Sequence, residues 1–293
     1  AHNIPLKITK ETNYSKDKNL WHLSHEGLDL EDPANEAPIN KPGFLELGVS
    51  PENAPDKATY VTIHFEKGVP TSVNGEKMKV ADMHCDTILA ILRGKEQGKE
   101  ISLRKNNLNV DLERMKKGDY LIQNFALFLD LENPMLAGSP FRYAMKMADV
   151  FYREMEKNKD WIRPVTKYDE IEENRKNGKM SALLTLEEGE ICEGDPALLR
   201  DFYRMGARMM TLTWNYPNQL GYPAKATGGE FAGKAFSEAG YGLTARGIEF
   251  LEEMENLGMI IDVAHLNDAG IRDVLKFTKK PFVASNSNAR HLC

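Results

Sequence analysis

The pattern of hydrophobic and polar positions changes character once along the chain. From Met78 onward, short apolar runs alternate with segments whose apolar residues recur at helical spacing. The runs predict strands at 80–88, 121–128, 181–186, 209–213, 259–264 and 282–285. Between them the periodicity predicts helices at 111–117, 143–158, 168–177 and 268–277. Two more helices are set by their punctuation. One starts at Asp195-Pro196, with Asp as N-cap and Pro in the first turn, and stops at Gly206. The other is capped by Thr244, carries Ile248, Leu251 and Met254 on one face, and ends at Gly258. Such alternation implies a parallel sheet with helical crossovers.

The lead-in Val80-Ala81 suits an inner strand of that sheet, buried on both faces. His84 and Asp86 follow two apart, so on an extended strand both side chains point to the same face. Six strands fall after position 78, in about 215 residues, whereas a closed eight-strand barrel takes about 250. The fold class expected is α/β, an incomplete (β/α)8 TIM-type barrel of about six of eight units.

Residues before Met78 follow another grammar. The opening is rich in loop signals such as Asp32-Pro33 and Asn40-Lys41-Pro42-Gly43. Tyr60 to Phe65 then alternates like a strand, Glu66-Lys67-Gly68 turns, and Val69 to Val73 returns, closed by Asn74-Gly75. A small α+β or hairpin segment at 1–77 therefore precedes a barrel-like unit at 78–293, with the junction near Glu76 to Met78.

Composition, 41% hydrophobic and 28% charged, is that of a globular protein with a sizeable core. The net charge of -6 and the scattered basic residues argue against nucleic acid as a partner. No apolar run approaches the roughly 20 residues of a membrane helix, and no signal peptide is visible. The three cysteines, Cys85, Cys192 and Cys293, have no CxxC spacing, which fits a reducing cytoplasm. The chain starts at Ala1 and stops at Cys293 straight after a predicted strand, so both ends read as cut. An open barrel exposes strand edges, through which copies of the chain are expected to associate.

In parallel α/β folds the chemistry sits at the C-terminal ends of strands. Taken in turn, those ends present His84 and Asp86, then Glu187 and Glu188, Trp214 and Asn215, His265 and Asn286, with Gln123 and Asn124 inside the second strand. Singly, each has a plain structural use: Asp86, Glu187 or Glu188 as a cap, either histidine as a hydrogen-bonded core residue, Trp214 as packing. Two imidazoles and several carboxylates at one level point instead to a first-row metal site. Amide hydrolysis at neutral pH needs an activated water, which paired divalent ions bridged by a carboxylate supply. Zn²⁺ suits mixed imidazole and carboxylate ligands, and Mn²⁺, Co²⁺ or Fe²⁺ would also fit.

Several motifs carry a resemblance: Ala81-Asp82-Met83-His84-Cys85-Asp86-Thr87, Leu183 to Gly189, Arg208 to Asn215, Gly242-Leu243-Thr244, Leu257 to His265 and Phe282 to Arg290. Residues 78–293 resemble the membrane (renal) dipeptidase family, peptidase M19, in its soluble bacterial branch. The resemblance implies a (β/α)8-type barrel with a binuclear zinc centre that cleaves dipeptides. It makes His84 and Asp86 ligands of one metal, Glu187 the bridging catalytic carboxylate, and His265 a ligand of the other. Trp214 and Asn215 would then face the substrate. It also marks departures. The family's second histidine on the latter metal falls at Asn286, and Trp214 stands where many members have a histidine. A further ligand Asp and a substrate-binding Arg would lie beyond Cys293. Four of six metal-site side chains are thus expected, with little peptidase activity.

A second resemblance covers residues 1–78. It is carried by Asn13 to Ser24, by Leu30-Glu31-Asp32-Pro33, and by Tyr60 through Asn74-Gly75-Glu76. This stretch resembles an interior piece of argininosuccinate synthase, in which the serines matching Ser15 and Ser24 help hold citrulline. The alternative for both is an ordinary loop hydroxyl satisfying backbone groups. The family's Gly-rich SGGxDTS-type ATP loop does not occur in this sequence. The expected whole is two joined fragments: a ligase piece from arginine biosynthesis, then a metal-dependent dipeptidase. A catalytically inactive fusion is the alternative.

Overall fold

A computed structural model describes residues 15–19, 22–38, 44, 53, 55–57, 60–133, 138–226, 233 and 240–287. The chain divides into two compact units, Ala1–Lys77 and Met78–Cys293.

In the first unit, β1 (Ser15–Asn19) and β2 (His22–Glu26) pair antiparallel, with Ser15 opposite Glu26 and Asp17 opposite Ser24. Ser15 and Ser24, expected as loop positions, thus lie on strands. Their side chains fall outside the described residues, as do the 40–43 turn and residues 13, 14, 20 and 21. Farther on, β3 (Ile63–Glu66), β4 (Val69–Val73) and β5 (Glu76–Lys77) form an antiparallel meander. Its turns are Lys67-Gly68, with φ of 50° and 81°, and Asn74-Gly75, with φ of 51° and 81°. Two consecutive positive φ values match the right-handed twist of a tight hairpin. Asn74-Gly75 therefore opens a second hairpin rather than closing the first. The strand expected from Tyr60 begins at Ile63, since Ile63 pairs with Val73, the last residue of β4.

The second unit is built on a six-stranded parallel sheet. Its strands are β6 (Val80–Asp82), β7 (Tyr120–Phe128), β8 (Ile162–Val165), β9 (Met180–Glu187), β10 (Met209–Thr211) and β11 (Ile260–Asp262). They run in the order β11-β10-β9-β7-β6, with β8 beside the first half of β9. The helices are α1 (Thr87–Glu96), α2 (Leu112–Lys117), α3 (Pro140–Lys157), α4 (Tyr168–Lys176), α5 (Pro196–Met205), α6 (Ala245–Leu257) and α7 (Asp268–Phe277). Asp111, Ser139, Asp195, Thr244 and Asn267 cap five of them through side-chain oxygens. The core lies between sheet and helices, where Phe125 of β7 meets Phe151 of α3 with ring centroids 6.0 Å apart.

Three expectations need correction. The strand before His84 is not an inner strand buried on both faces. Among the described residues β6 pairs with β7 alone, and Val80 is 39% exposed. The strand also ends at Asp82, so His84 and Asp86 do not share the face of an extended segment. The expected strand at 282–285 reduces to one parallel bridge, Val283 to Asp262. In its stead β8 supplies a sixth strand, and it was missed because its Arg-Pro centre breaks the apolar run. Helix α1 was likewise not predicted.

Candidate metal centre

Neighbouring strand ends and the loops after them deliver the candidate ligands to one rim of the sheet. Beyond β6 the His84 amide donates to Oδ1 of Asp82 at 3.1 Å, which turns the chain out of the strand direction. Asp86 occupies the N-cap position of α1 without a side-chain cap bond, leaving its carboxylate to face His84. Asp86 Oδ1 lies 3.2 Å from Nε2 of His84. Glu187 is the last residue of β9, its side chain 3% exposed. Its Oε2 stands 3.2 Å from Nε2 of His84 and its Oε1 3.3 Å from Nε2 of His265. His265 holds a left-handed φ of 65°, rare for a side-chain-bearing residue, and its carbonyl accepts from the Ala224 amide at 2.7 Å. Asn286 completes the group, with Nδ2 3.3 Å from Nε2 of His265.

Charge and burial oppose each other here. Burial disfavours the His84 imidazolium, but hydrogen bonds to Asp86 and Glu187 outweigh it and raise its pKa to about 10. Burial also works against the Glu187 carboxylate, yet bonds from His265 and His84 hold its pKa below the ordinary value. The adjacent Glu188 goes the other way. It is fully buried, and desolvation pushes its pKa up to about 7 although it accepts bonds from the Asn218 side chain and the Trp214 and Glu190 amides. Burial also pushes the Cys85 thiol up to about 12, which makes it a packing group.

One ligand atom from each of His84, Asp86 and Glu187 can lie within 4.8 Å of the other two. This mixed imidazole and carboxylate set fits a first-row divalent ion. The His265 side fits less well, because the group beside its imidazole is a carboxamide, a weak ligand for zinc. A groove of about 590 Å³ runs along His84, Cys85 and Asp86 and is walled by Asn107 and Asn109. Those asparagines lie in a segment without periodicity, so sequence reasoning missed them. It missed the work of Asp262 as well, although a lone acid inside Met259-Ile260-Ile261-Asp262-Val263-Ala264 is a recognisable anomaly.

Trp214 packs edge-on against Phe128 at 4.7 Å and lies 6.4 Å from the His265 ring. Asn215 follows it, half-buried. The structure thus gathers His84, Asp86, Glu187, His265 and Asn286, with Trp214 at the margin. Ser15 and Ser24 belong to the other unit.

Comparison with known sequences settles the family. Residues 74–293, three quarters of the chain, match the profile of membrane dipeptidase (peptidase family M19). The chain belongs to the M19 family. Residues 14–93 match a second profile, the arginosuccinate synthase C-terminal domain, which overlaps the M19 match at 74–93. Argininosuccinate synthase of Agathobacter rectalis is 60% identical over 83 residues, covering 28% of this chain and 20% of the relative. That of Acetivibrio thermocellus is 65% identical over 75 residues, 26% of this chain and 18% of the relative. The chain spans about a fifth of the length of these curated relatives. Among solved structures, a metallo peptidase from Rhodobacter sphaeroides, liganded with a phosphinate mimic of the dipeptide L-Ala-D-Ala, superposes with a TM-score of 0.62 at 23% identity. A dipeptidase of family M19 gives 0.61 at 24%. The match covers 73% of this chain in both cases, and 66% and 64% of those chains. These likenesses establish the TIM-like M19 architecture. Among the described residues, no helix is long and apolar enough to cross a membrane.

Proposed function

We propose that residues 78–293 act as a metal-dependent dipeptidase unit whose centre is a zinc site built on His84, Asp86 and Glu187, with His265 on its far side. The observation that carries this reading is the Glu187 carboxylate, whose two oxygens face two histidines, at 3.2 Å and 3.3 Å. That is the disposition a bridging carboxylate requires. A divalent ion held there supplies electrophilic polarisation of the amide carbonyl and activation of water. Glu187, kept ionised by its histidine neighbours, is the acceptor for the proton that water gives up on attack. The Trp214 ring, backed by Phe128, offers an apolar wall to a dipeptide side chain, with Asn215 beside it. Cysteine usage supports a reducing cytoplasm as the working compartment.

The Ala1–Lys77 unit is read as a piece related to argininosuccinate synthase, joined to the dipeptidase unit. The supporting observation is 60% identity over 83 residues. Ser15 and Ser24 are its citrulline-binding-like positions. Ligase chemistry is not part of the proposal, because the likeness covers only a fifth of that enzyme.

The deciding experiment is metal analysis of the purified chain by inductively coupled plasma mass spectrometry, beside Glu187→Ala. Near-stoichiometric zinc in the parent and its loss in the variant are expected, while cleavage of Ala-Ala by the zinc-loaded parent is expected to be weak, because a carboxamide stands beside His265. A parent that retains no zinc after exposure to it would overturn the reading.

A further inference from the structure

We infer that Asp262 is a positioning residue of the metal centre, fixing both His265 and Asn286 against Glu187. This rests on the metal reading above and deepens it. Thr211 stands opposite Glu187 on one side and opposite Asp262 on the other, so the three residues form one rung across β9, β10 and β11. Paired residues of a parallel sheet face the same side, which brings Asp262 to the level of the bridging carboxylate.

Asp262 is completely buried, and both its oxygens are spoken for. Oδ2 accepts from Thr211 Oγ1 at 2.6 Å and from Ser285 Oγ at 2.5 Å. Oδ1 accepts from the amides of Ala264 and Ser285, each at 3.0 Å. Four donors fill the acceptor capacity of a carboxylate, so Asp262 is not free to be a ligand or a proton carrier. The identity of those donors gives its role. Ala264 immediately precedes His265, and Ser285 immediately precedes Asn286. One carboxylate therefore grips two backbones, each one residue short of a side chain at the centre. The grip extends the bridge at Val283, whose amide donates to Ile261 O at 2.9 Å and whose carbonyl accepts from Val263 N at 2.8 Å. The Ala264 bond is the turn an Asp side chain commonly makes two residues on, whereas the Ser285 bonds tie that turn to a second segment, so the carboxylate couples the backbone that presents His265 to the one that presents Asn286.

The test is zinc titration of the full chain labelled with ¹⁵N-histidine, following imidazole resonances by NMR. The His84 and His265 signals are identified by their loss in His84→Gln and His265→Gln. In Asp262→Ala the zinc concentration at which His265 responds should rise tenfold or more, while the His84 midpoint stays within twofold of the parent. Asp262→Asn keeps a carbonyl oxygen for the two amides and an N–H₂ that the two hydroxyls can accept, so its His265 midpoint should stay within threefold. If Asp262→Ala does not fold, Ser285→Ala removes the hydroxyl that reaches Asp262 Oδ2 and Asn286 Oδ1 while keeping the Ser285 amide on Asp262 Oδ1, and it should move the His265 midpoint alone, by threefold or more. Equal shifts of both histidines, or no shift of His265, would overturn the positioning role while leaving the metal site intact. If neither histidine of the parent responds to zinc, the metal reading fails and this inference falls with it.

Discussion

The side-chain amide of Asn286 lies 3.3 Å from Nε2 of His265, the same nitrogen that faces Oε1 of Glu187. One half of the centre thus has an imidazole and two carboxylates, whereas the other has one imidazole, a shared carboxylate oxygen and a carboxamide. Softer nitrogen donors hold zinc better than amide oxygen does. Asn286→His should raise the affinity for a second zinc equivalent on the order of tenfold or more and leave the first unchanged. Competition against a chromophoric chelator separates the two equivalents. A variant that binds the second equivalent no better than the parent would show that Asn286 does not face the metal.

Glu187 and Glu188 are neighbours in sequence with opposite duties. The φ of 88° at Glu188 turns the chain so that Glu187 faces the histidines while Glu188 reaches the loop after β10, accepting from Trp214 N at 2.9 Å and from the Asn218 side chain. Glu188→Ala would strand these buried donors and should cost ~2–4 kcal/mol of stability. Zinc content at the His84 side should stay near that of the parent. Chemical denaturation and metal analysis on the same preparation test both halves. Loss of zinc without loss of stability would reverse the assignment of roles.

The alternation of apolar runs and helical periods made the parallel α/β architecture legible, and helix α7 falls where it was expected, at Asp268–Phe277. Caps such as Asp195 and Thr244 were legible because their chemistry is local. What stayed hidden depends on neighbours. That β6 is an edge strand among the described residues follows from its pairing there with β7 alone, which no property of Val80-Ala81-Asp82 encodes. His84 and Asp86 do meet, but by way of an Asp82-stabilised turn and a helix start instead of a strand pleat. The two-residue spacing named the right pair for the wrong reason. Asp262 was passed over, and Glu188 was read as a strand-end carboxylate or a cap, because Thr211 and Ser285 lie 23 to 51 residues from the first and Trp214 and Asn218 lie 26 to 30 from the second.

Trp214 touches the centre from its apolar side. Its ring meets Phe128 at 4.7 Å and Tyr216 at 5.6 Å, and Tyr216 is held in turn by a hydrogen bond to Asp130 at 3.0 Å. None of these contacts requires a metal. Trp214→Ala should therefore leave zinc stoichiometry intact and weaken dipeptide binding by roughly tenfold, about the value of one aromatic contact with its buried area. Calorimetric titration of the zinc-loaded chain with Ala-Ala measures this directly. Unchanged affinity would remove Trp214 from the substrate surface.

Asp111 gives a prediction that is independent of the metal. Its Oδ1 caps α2 through the Arg114 amide at 2.8 Å, and its Oδ2 accepts from Arg114 Nε at 3.0 Å and from the Asn106 amide at 3.2 Å. Burial pushes its pKa up, but these bonds and the Arg114 charge win and hold it below the ordinary 3.8. Asp111→Ala should cost ~1–2 kcal/mol at neutral pH. Because the folded-state pKa is the lower one, the folded state favours the ionised form. The stabilisation is fully present above the ordinary carboxylate value and is lost as pH falls through the depressed one. The stability gap between parent and variant should thus be constant from pH 7 to pH 5 and narrow below pH 4, as read from urea melts at each pH. A gap that widens on acidification would mean that Asp111 is protonated in the folded chain, contrary to its hydrogen-bond partners.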